Sequence, residues 1–375
     1  MTHHFKVNYK IFTSESVCAG HPDKICDQIS DAILDAHLAD HPQSRVAVET
    51  LVTTNKVVIA GEIASKVRAD YEKIARNVVK DLGYDNPIYN FRWQTATIEV
   101  LIHQQSLDIA SGVSRGGAGD QGIMFGYATD ETANFMPLPI VLAHEIVKAV
   151  DTSRKSEQLP YLRPDGKSQV TVEYKDGYPL RVIKVITAVP HDPKIDQKRV
   201  SVDIYEYVIK KVLGKYGYTI NFSDTICNGT GKWAVGGPTS DTGVTGRKIN
   251  VDSYGSAARV GGGCFSGKDP TKVDRSAAYA ARFIAKNIVA AKFASRCEIQ
   301  LAYVIGKPRP IAKAIETFGT QKVAIGKIEK FAWSLIDLSV NGIITHLNLR
   351  RPIYQKTASY GHFGREGFSW EKIVS

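Results

Sequence analysis

The spacing of apolar residues along the chain predicts helices and strands in mixed order. Apolar residues that recur every three or four positions indicate amphipathic helices, whereas strict alternation indicates half-buried strands. Helices are predicted at residues 22–38, 69–82, 137–150, 200–213 and 276–291, and strands at residues 46–52, 57–63, 96–102, 168–174 and 181–189. A further strand is expected from residue 246, and residues 13–20 are expected to form a polar loop. This mixed order predicts the α+β class.

The first two predicted strands form a β-hairpin. A two-residue turn at 54–55 pairs Glu49 with Ala60. The same register pairs Ala47 with Glu62, so both carboxylates lie on one face of the sheet, and a shift of one residue would separate them. Glutamates among apolar neighbours are expensive to bury without cations, which makes Glu49 and Glu62 candidate site residues.

The first predicted helix carries an aspartate at every fourth position. The carboxylates stack along one face at Asp23, Asp27, Asp31 and Asp35. Like charges at this spacing cost roughly 0.2–0.5 kcal/mol per pair, so the stripe requires solvent, cations or a metal. For Asp31 and Asp35 the preferred interpretation is a solvated acidic face. Asp23 differs, because it shares the helix N-terminus with His21 and Lys24, where an anion or a metal–phosphate unit is favoured.

Residues 261–275 have the composition of a polyanion site. Four glycines, two lysines, an arginine and two aspartates fall within this stretch, directly before a predicted helix. Glycines let main-chain N–H groups approach an anion closely, and a helix N-terminus adds a positive dipole end. The aspartates suggest a metal ion between carboxylate and phosphate oxygens.

Two other interpretations of this stretch remain open. Residues 262–268 match the Walker A pattern G-x-x-x-x-G-K, although Asp269 occupies the Ser/Thr position that meets Mg²⁺. A protein of that class would hydrolyse a nucleotide to the diphosphate without a second substrate. The other alternative is a glycine-rich surface turn without a ligand.

Composition and charge narrow the function classes. The chain has 375 residues, enough for two or three domains, and a net charge of +10. Its basic residues are scattered, which argues against a nucleic-acid partner, and a polyphosphate substrate explains the excess equally well. No apolar run of about 18 residues appears, so no membrane partner is expected. Five cysteines without CxxC spacing predict reduced thiols and a cytoplasmic location.

The segment from residue 103 to residue 122 is long, polar and rich in glycine. It contains Gln105 and Asp120. Connections of this length in a compact domain are commonly lids or binding loops. The segment is therefore predicted to cover a site.

Several motifs follow one another along nearly the whole chain. They are T-S-E-S-V at 13–17, G-H-P-D-K at 20–24, G-A-G-D-Q-G at 117–122, L-R-P-D at 162–165, the stretch at 261–275 and Y-G-H-F-G-R-E at 360–366. Together they resemble the S-adenosylmethionine synthetase (methionine adenosyltransferase) family. Several long motifs in order are far more specific than a lone glycine loop.

The resemblance implies a fold of three similar α+β domains around a pseudo-threefold axis. The implied N-terminal domain covers residues 9–107, the central domain 118–236 and the C-terminal domain 238–374. The resemblance also implies that two subunits pack through their sheets, as a homodimer or a dimer of dimers with active sites between subunits.

The resemblance further implies the reaction. The sulfur of L-methionine attacks C5′ of ATP, which gives S-adenosylmethionine and tripolyphosphate, and the latter is hydrolysed to phosphate and diphosphate. A thioether has no proton to lose, so catalysis must come from alignment and from stabilising the leaving triphosphate. The implied cofactors are Mg²⁺, two ions per active site, and K⁺.

Motif positions carry the family's residue roles onto this chain. His21 would lie at the ribose–triphosphate junction and polarise the departing oxygen. The implied phosphate and nucleotide ligands are Asp165, Lys167, Trp233, Arg247, Lys248, Cys264 and Lys268, of which Lys167, Arg247 and Lys268 join His21 in catalysis. The residues implied near methionine or adenosine are Glu62, Gln105, Asp120, Asp241 and Lys272. The implied metal ligands are Asp23 and Asp274 for Mg²⁺ and Glu49 for K⁺.

Three thiols lie in or beside these motifs, at Cys18, Cys26 and Cys264. Nearby cations lower the pKa of a thiol and make it reactive. This supports the hypothesis that these cysteines react with alkylating agents.

Overall fold

Helices and strands follow one another in mixed order in the computed structural model, which describes residues 11–104 and 116–374. The strands are β1 (Ile11–Val17), β2 (Arg45–Thr53), β3 (Lys56–Ala64), β4 (Thr97–Gln104), β5 (Gly122–Thr129), β6 (Lys167–Lys175), β7 (Tyr178–Ala188), β8 (Thr225–Cys227), β9 (Gly243–Val244), β10 (Arg296–Tyr303) and β11 (Ala312–Glu316). The helices are α1 (Pro22–Asp40), α2 (Tyr71–Asp81), α3 (Leu138–Lys155), α4 (Gln197–Ile204), α5 (Lys210–Lys215), α6 (Ile249–Asp252), α7 (Val273–Ala290), α8 (Ile325–Ser334) and α9 (Val340–His346). A π-helical turn at Tyr205–Ile209 joins α4 to α5.

Three small sheets form the framework of the fold. The strand order is β4-β3-β2-β9 in the first sheet, β1-β6-β7-β8 in the second and β11-β10-β5 in the third. Each sheet includes one strand from a distant part of the chain, because β9 joins the first sheet, β1 the second and β5 the third. The sheets therefore tie three regions of the sequence to one another.

Each sheet is covered by one long helix. Helix α1 packs on the first sheet, α3 on the second and α7 on the third. In α1, Ile25, Ile29 and Ile33 are fully buried in one core with Val46 and Val48 of β2. Burial of an apolar side chain of this size contributes roughly 1.5–3 kcal/mol, so the helical spacing of the isoleucines accounts for the attachment of α1.

Helix α7 approaches the third sheet very closely at β5. A Cβ built on Gly126 of β5 would lie 2.0 Å from the carbonyl carbon of Ala281 in α7. A side chain at this position would push the helix away, which explains the glycine in the strand. This contact fixes the helix whose N-terminus follows the glycine-rich stretch.

The hairpin prediction is confirmed residue by residue. Glu49 pairs with Ala60, and Ala47 pairs with Glu62. Asn55 in the turn has a φ of 53°, the left-handed conformation that two-residue hairpin turns require. Both glutamates are exposed, on the face of the first sheet that points away from α1.

The prediction of a polar loop at residues 13–20 was wrong. Most of this segment belongs to β1, which pairs antiparallel with β6 from Ile11 to Val17. The inward positions are polar but hydrogen-bonded: Ser14 donates to the carbonyl of Gly255 at 2.8 Å, and Ser16 lies 2.8 Å from Nδ1 of His144. Because these hydroxyls have buried partners, the strand forms without the apolar alternation that identifies strands in sequence.

The prediction of a strand from residue 246 was also wrong. Gly246 has a φ of 83°, outside the extended region, and the short helix α6 follows at Ile249. The other predicted helices and strands are confirmed, with shifted ends. The α+β class is confirmed as well. Within residues 11–104 and 116–374, no helix combines the length and the apolar character needed to span a bilayer.

Candidate active site

The N-terminus of α1 positions His21. This residue caps the helix, and its Nδ1 accepts a hydrogen bond from the main-chain N–H of Asp23 at 3.2 Å. The side chain is 1% exposed, and its Nε2 has no hydrogen-bond partner among the described residues. Burial, followed by the charges of Lys248 and Lys167, lowers the pKa of His21 to about 3. The imidazole is therefore neutral, and because Nδ1 accepts, its proton is on Nε2.

Asp23 lies at the centre of a cationic cluster. Its Oδ1 accepts a hydrogen bond from the main-chain N–H of Val244 at 2.9 Å, and its Oδ2 accepts one from Nζ of Lys248 at 2.5 Å. Nε of Arg247 lies 3.8 Å from Oδ1. Burial alone would raise the pKa of Asp23, but the hydrogen bonds from Lys248 and Val244 outweigh it, so the pKa is lowered. The carboxylate is ionised and faces two cations.

The glycine-rich stretch lies beside β2. The main-chain N–H of Val48 donates to the carbonyl of Gly267 at 3.0 Å, and the N–H of Asp269 donates to the carbonyl of Val46 at 3.0 Å. Lys268 lies between these two bonds. Its main chain is therefore held against the sheet on both sides.

Both lysines of this stretch contact carboxylates. Nζ of Lys268 lies 2.7 Å from Oδ2 of Asp274, in the first turn of α7, and Lys272 donates to the buried carboxylate of Asp269. A Cβ built on Gly263 would lie 2.2 Å from Oδ1 of Asp274. The absence of a side chain at this glycine lets the Asp274 carboxylate approach the loop.

The two cation-bearing segments, residues 246–248 and residues 264–268, are neighbours. A Cβ built on Gly246 would lie 2.5 Å from Cβ of Cys264, so the Cys264 side chain packs directly against the main chain of Gly246. The main-chain N–H of Gly119 donates to the carbonyl of Thr271 at 3.3 Å, which brings the adjoining Asp120 to the same stretch. The cations of the two segments therefore lie on neighbouring loops, and we call the surface between these loops the cleft.

Asp165 connects two loops rather than pointing into open space. Its carboxylate accepts hydrogen bonds from the main-chain N–H groups of Gly166 at 2.7 Å and Gly237 at 2.8 Å. Burial raises its pKa to about 6 despite these bonds. The indole of Trp233 donates to the carbonyl of Val235, and Lys167 and Asp241 are exposed. Asp165 thereby holds the start of β6, where Lys167 lies, next to residue 237.

Three predicted site residues remain. Glu49 and Glu62 are on the exposed face of the first sheet, and Gln105 lies outside the described residues. Glu49 is close enough to the glycine-rich stretch for its charge to contribute to the raised pKa of Cys264. Within one chain, the structure brings together the cluster around His21 and Asp23 and the adjoining cluster around Lys268 and Asp274. It does not bring Glu62 into contact with either cluster.

The chain is similar to known proteins along nearly its whole length. The family models described as the N-terminal, central and C-terminal domains of S-adenosylmethionine synthetase match residues 9–107, 115–233 and 235–372. The chain is 51% identical to an S-adenosylmethionine synthase from Desulforudis audaxviator, with 97% of this chain and 96% of the relative covered. It is 50% identical to an S-adenosylmethionine synthase from Sorangium cellulosum, with 96% of this chain and 87% of the relative covered.

The chain belongs to the S-adenosylmethionine synthetase family. It is a methionine adenosyltransferase, which transfers the adenosyl group of ATP to the sulfur of methionine and hydrolyses the tripolyphosphate. The predicted enzyme class and reaction are confirmed. Enzymes of the S-adenosylmethionine synthetase family act on ATP and methionine and depend on metal ions.

The Walker A interpretation was wrong. A P-loop joins a strand directly to a helix that begins at its Lys-Ser/Thr pair. In this chain, the helix α7 begins at Val273, five residues after Lys268, and the preceding element is the helix α6. The stretch is an irregular segment that lies against β2.

The interpretation of a solvated acidic face on α1 was wrong too. Asp31 is fully buried, and its carboxylate accepts hydrogen bonds from both Nη atoms of Arg275 at 2.7 and 2.8 Å. Asp35 accepts the main-chain N–H groups of Tyr354 and Gln355. The C-terminal half of α1 can carry the carboxylates of Asp31 and Asp35 because their hydrogen-bond partners pack around them. The signal in the sequence was an aspartate at every fourth position of a helix that is otherwise strongly apolar.

The hypothesis of reactive thiols assumed that nearby cations lower the thiol pKa values, and this assumption was wrong. Burial raises the pKa of Cys18 and of Cys26 well above the ordinary value. Burial also raises the pKa of Cys264, although Lys268 acts in the opposite direction. Loss of hydration outweighs the nearby cations at all three thiols.

The cleft offers carboxylate ligands for a metal ion, although these ligands alone do not complete a coordination sphere. Among the described residues, no three His, Cys, Asp or Glu side chains converge as a metal site. Mg²⁺ commonly binds through one or two carboxylates together with substrate phosphates and water. Asp23 and Asp274 each present one carboxylate next to a lysine, so the donor set fits a metal–phosphate unit.

Proposed function

We propose that adenosyl transfer takes place in the cleft bordered by the N-terminus of α1, residues 246–248 and residues 261–274. The observation that carries this proposal is the neutral imidazole of His21. Its Nε2–H is buried without a partner among the described residues, next to a cluster of cations. An unpaired buried donor costs free energy, and a ligand atom is the natural partner for it.

His21 acts on the leaving group. As methionine sulfur attacks C5′, the oxygen between C5′ and the triphosphate gains negative charge, and Nε2–H donates a hydrogen bond to that oxygen. The lowered pKa keeps the ring neutral at physiological pH, so the role is donation from a fixed position rather than proton storage. No group is needed to deprotonate the nucleophile.

Lys167, Arg247, Lys248 and Lys268 hold the triphosphate. Two of these lysines are paired with carboxylates in the cleft, Lys248 with Asp23 and Lys268 with Asp274. Phosphate oxygens form the same strong charge-assisted hydrogen bonds with ammonium groups, so the bound triphosphate takes the place of the carboxylates. Asp23 and Asp274 would then hold two Mg²⁺ ions, which neutralise charge on the leaving triphosphate when bound.

The other assignments follow the same family roles. Glu62, Gln105, Asp120, Asp241 and Lys272 contact methionine or adenosine, and Trp233 and Cys264 line the nucleotide. Glu49 supplies the acid of a K⁺ site. Asp165 acts on the nucleotide through the loops that it connects, in keeping with its two main-chain hydrogen bonds.

The exposed face of the first sheet is the proposed subunit interface. Leu51 and Leu101 on this face are 36% and 44% exposed, beside Glu49 and Glu62. A second copy packed on this face would bury the leucines and bring both glutamates to an active site between subunits. The enzyme is proposed to be a cytoplasmic homodimer or dimer of dimers, in which three domains at 9–107, 118–236 and 238–374 repeat around a pseudo-threefold axis.

Leu101→Glu tests the interface. We expect light scattering to show a monomer, because an unpaired charge is costly to bury between two sheets. An activity assay of this monomer should show almost no adenosyl transfer. Ile311→Glu, at a residue that is 66% exposed outside this face, is the control and should change neither property. A fully active Leu101→Glu monomer would contradict the shared active site.

Product analysis tests the reaction and its leaving-group residue. With ATP, Mg²⁺ and K⁺, mass spectrometry should detect a sulfonium adduct, phosphate and diphosphate only when methionine is present. His21→Asn should lose this transfer and still hydrolyse added tripolyphosphate, while His41→Asn, near the other end of α1, should keep both activities. Normal transfer by His21→Asn would remove His21 from the mechanism, and ADP formed without methionine would contradict the reaction.

A further inference from the structure

Four aspartates on one face of α1 each accept main-chain N–H groups from much later parts of the chain. We call Asp23, Asp27, Asp31 and Asp35 the aspartate ladder. The hydrogen bonds are Asp23 with Val244 at 2.9 Å, Asp27 with Gly246 at 2.8 Å, Asp31 with Gly267 at 2.8 Å, and Asp35 with Tyr354 and Gln355 at 2.9 Å each. One helix therefore aligns three separate loops.

The two middle aspartates hold the glycines that directly precede the candidate phosphate-binding cations. Gly246 is followed by Arg247 and Lys248, and Gly267 is followed by Lys268. Both glycines have left-handed backbones, with φ values of 83° and 80°. Because φ and ψ of the glycine set the direction of the next residue, a fixed N–H at the glycine fixes where the following side chain points.

The carboxylates of these two aspartates cannot swing away from the glycines. Asp27 and Asp31 are 0% exposed. The second oxygen of Asp27 lies 2.8 Å from Nζ of Lys24, which also contacts Asp252, and Asp31 is held by two hydrogen bonds from Arg275. Each N–H acceptor is thus anchored by a buried cation.

We propose that Asp27 and Asp31 are positioning residues, which fix the direction in which the candidate phosphate-binding cations leave the chain. In the two cation-bearing loops they contact only the main chain, at Gly246 and Gly267, and they act through the side chains that follow these glycines. The inference rests on the proposed function, since it assumes that these cations bind the triphosphate. Donors that stabilise a developing charge must be in place before the reaction, and a misplacement of about 1 Å can reduce the rate roughly 100-fold.

A double-mutant cycle between Asp27 and Lys248 tests the proposal. Asp27→Ala leaves Lys24 paired with Asp252, so the buried cation keeps a partner. We expect Asp27→Ala to lower kcat for adenosyl transfer roughly 10- to 100-fold at saturating methionine, Mg²⁺ and K⁺. If Asp27 acts through Lys248, the loss in Asp27→Ala with Lys248→Ala should fall roughly tenfold short of the product of the single losses. A loss equal to that product would overturn the proposal.

Asp35→Ala is the matched control. It removes the same kind of ladder contact, but the loop that Asp35 holds, residues 354–355, carries no candidate site residue. Thermal unfolding should shift to a lower temperature while kcat and KM for ATP stay unchanged. If Asp35→Ala lowered kcat as much as Asp27→Ala, the effect would be general loosening of α1, and the positioning role would be rejected.

The design separates failure of this inference from failure of the proposed function. If Lys248→Ala alone is fully active, the phosphate-binding assignment is wrong and the inference is rejected with it. If Lys248→Ala is impaired but the two losses multiply, the proposed function stands and the positioning role is rejected. Should Asp27→Ala fail to fold, Asp27→Leu, which fills the same space but offers no acceptor to the Gly246 N–H, replaces it in the same cycle with the same criterion.

Discussion

Two sets of ion pairs lie a few residues apart in this enzyme and differ in what surrounds them. In the buried core, the side chains of Arg275 and Asp31 are 1% and 0% exposed. At the cleft, the side chains of Lys268 and Asp274 are 22% and 7% exposed. Arg275 lies in the first turn of α7, next to Asp274, so the same short stretch supplies a cation to each set.

The difference lies in how many partners each cation has. Arg275 donates to both oxygens of Asp31, to the hydroxyls of Tyr279 and Thr357, and to the carbonyl of Lys268. Its guanidinium is fully used, and breaking the pair would leave a bare charge in the core. Lys268 has one carboxylate partner and access to solvent, so it can exchange that carboxylate for phosphate. Buried pairs hold the loops, and cleft pairs are available to ligands.

The largest expected effect comes from breaking the buried pair. Arg275→Met should lower the free energy of unfolding by about 3–5 kcal/mol, because it leaves the Asp31 carboxylate buried without its counter-ion. Urea unfolding followed by circular dichroism measures the change. Lys268→Met, which removes a cation from the same stretch, is the control. Equal destabilisation by the two variants would abolish the distinction between core and cleft.

The next effect concerns activity at the cleft. Lys268→Met should reduce kcat for adenosyl transfer about 100- to 1000-fold, because the proposed role of Lys268 is to donate to the leaving triphosphate. Hydrolysis of added tripolyphosphate should fall as well, while the free energy of unfolding changes by about 1 kcal/mol or less. A near-normal rate in steady-state assays would show that Lys268 does not contact the phosphates.

The third effect concerns the carboxylate of the same cleft pair. Asp274→Asn should raise the Mg²⁺ concentration needed for half-maximal activity by roughly tenfold or more, because hard cations prefer charged oxygen ligands. Asp40→Asn, at the exposed end of α1, is the control. An unchanged Mg²⁺ titration of Asp274→Asn would exclude this residue as a ligand.

The smallest effect is a pH dependence of stability at His144, a buried residue that belongs to neither set. Burial, followed by the charges of Arg365 and Lys24, lowers the pKa of His144 from 6.5 to about 3. Between these pH values the unfolded chain binds a proton at His144 that the folded chain does not, so stability falls as the pH drops below about 6.5. His144→Gln should therefore lose less stability than the wild type between pH 6.5 and pH 4 in thermal unfolding. A steeper loss in the variant would reverse the sign of this argument.

The local sequence pattern was sufficient to predict those helices and strands whose hydrogen-bond partners are near in the chain. The hairpin register could be predicted from alternation and a two-residue turn, so Glu49 and Ala60 were paired correctly. The helices α1, α3 and α7 followed from apolar spacing for the same reason, since a helix is stabilised by residues a few positions apart. The family's motifs likewise lie in contiguous segments, which is why the reaction could be inferred from sequence.

Tertiary structure alone decided what the polar side chains of those elements contact. Asp27 is 219 residues from Gly246, and Asp31 is 236 residues from Gly267, so no local pattern identifies these partners. The polar strand β1 was missed because its buried serines are satisfied by atoms of other segments. The sequence determined which residues form helices and carry charge. Long-range packing determined which charges are buried and which are open to ligands, because burial and hydrogen bonding depend on every segment that packs around a group.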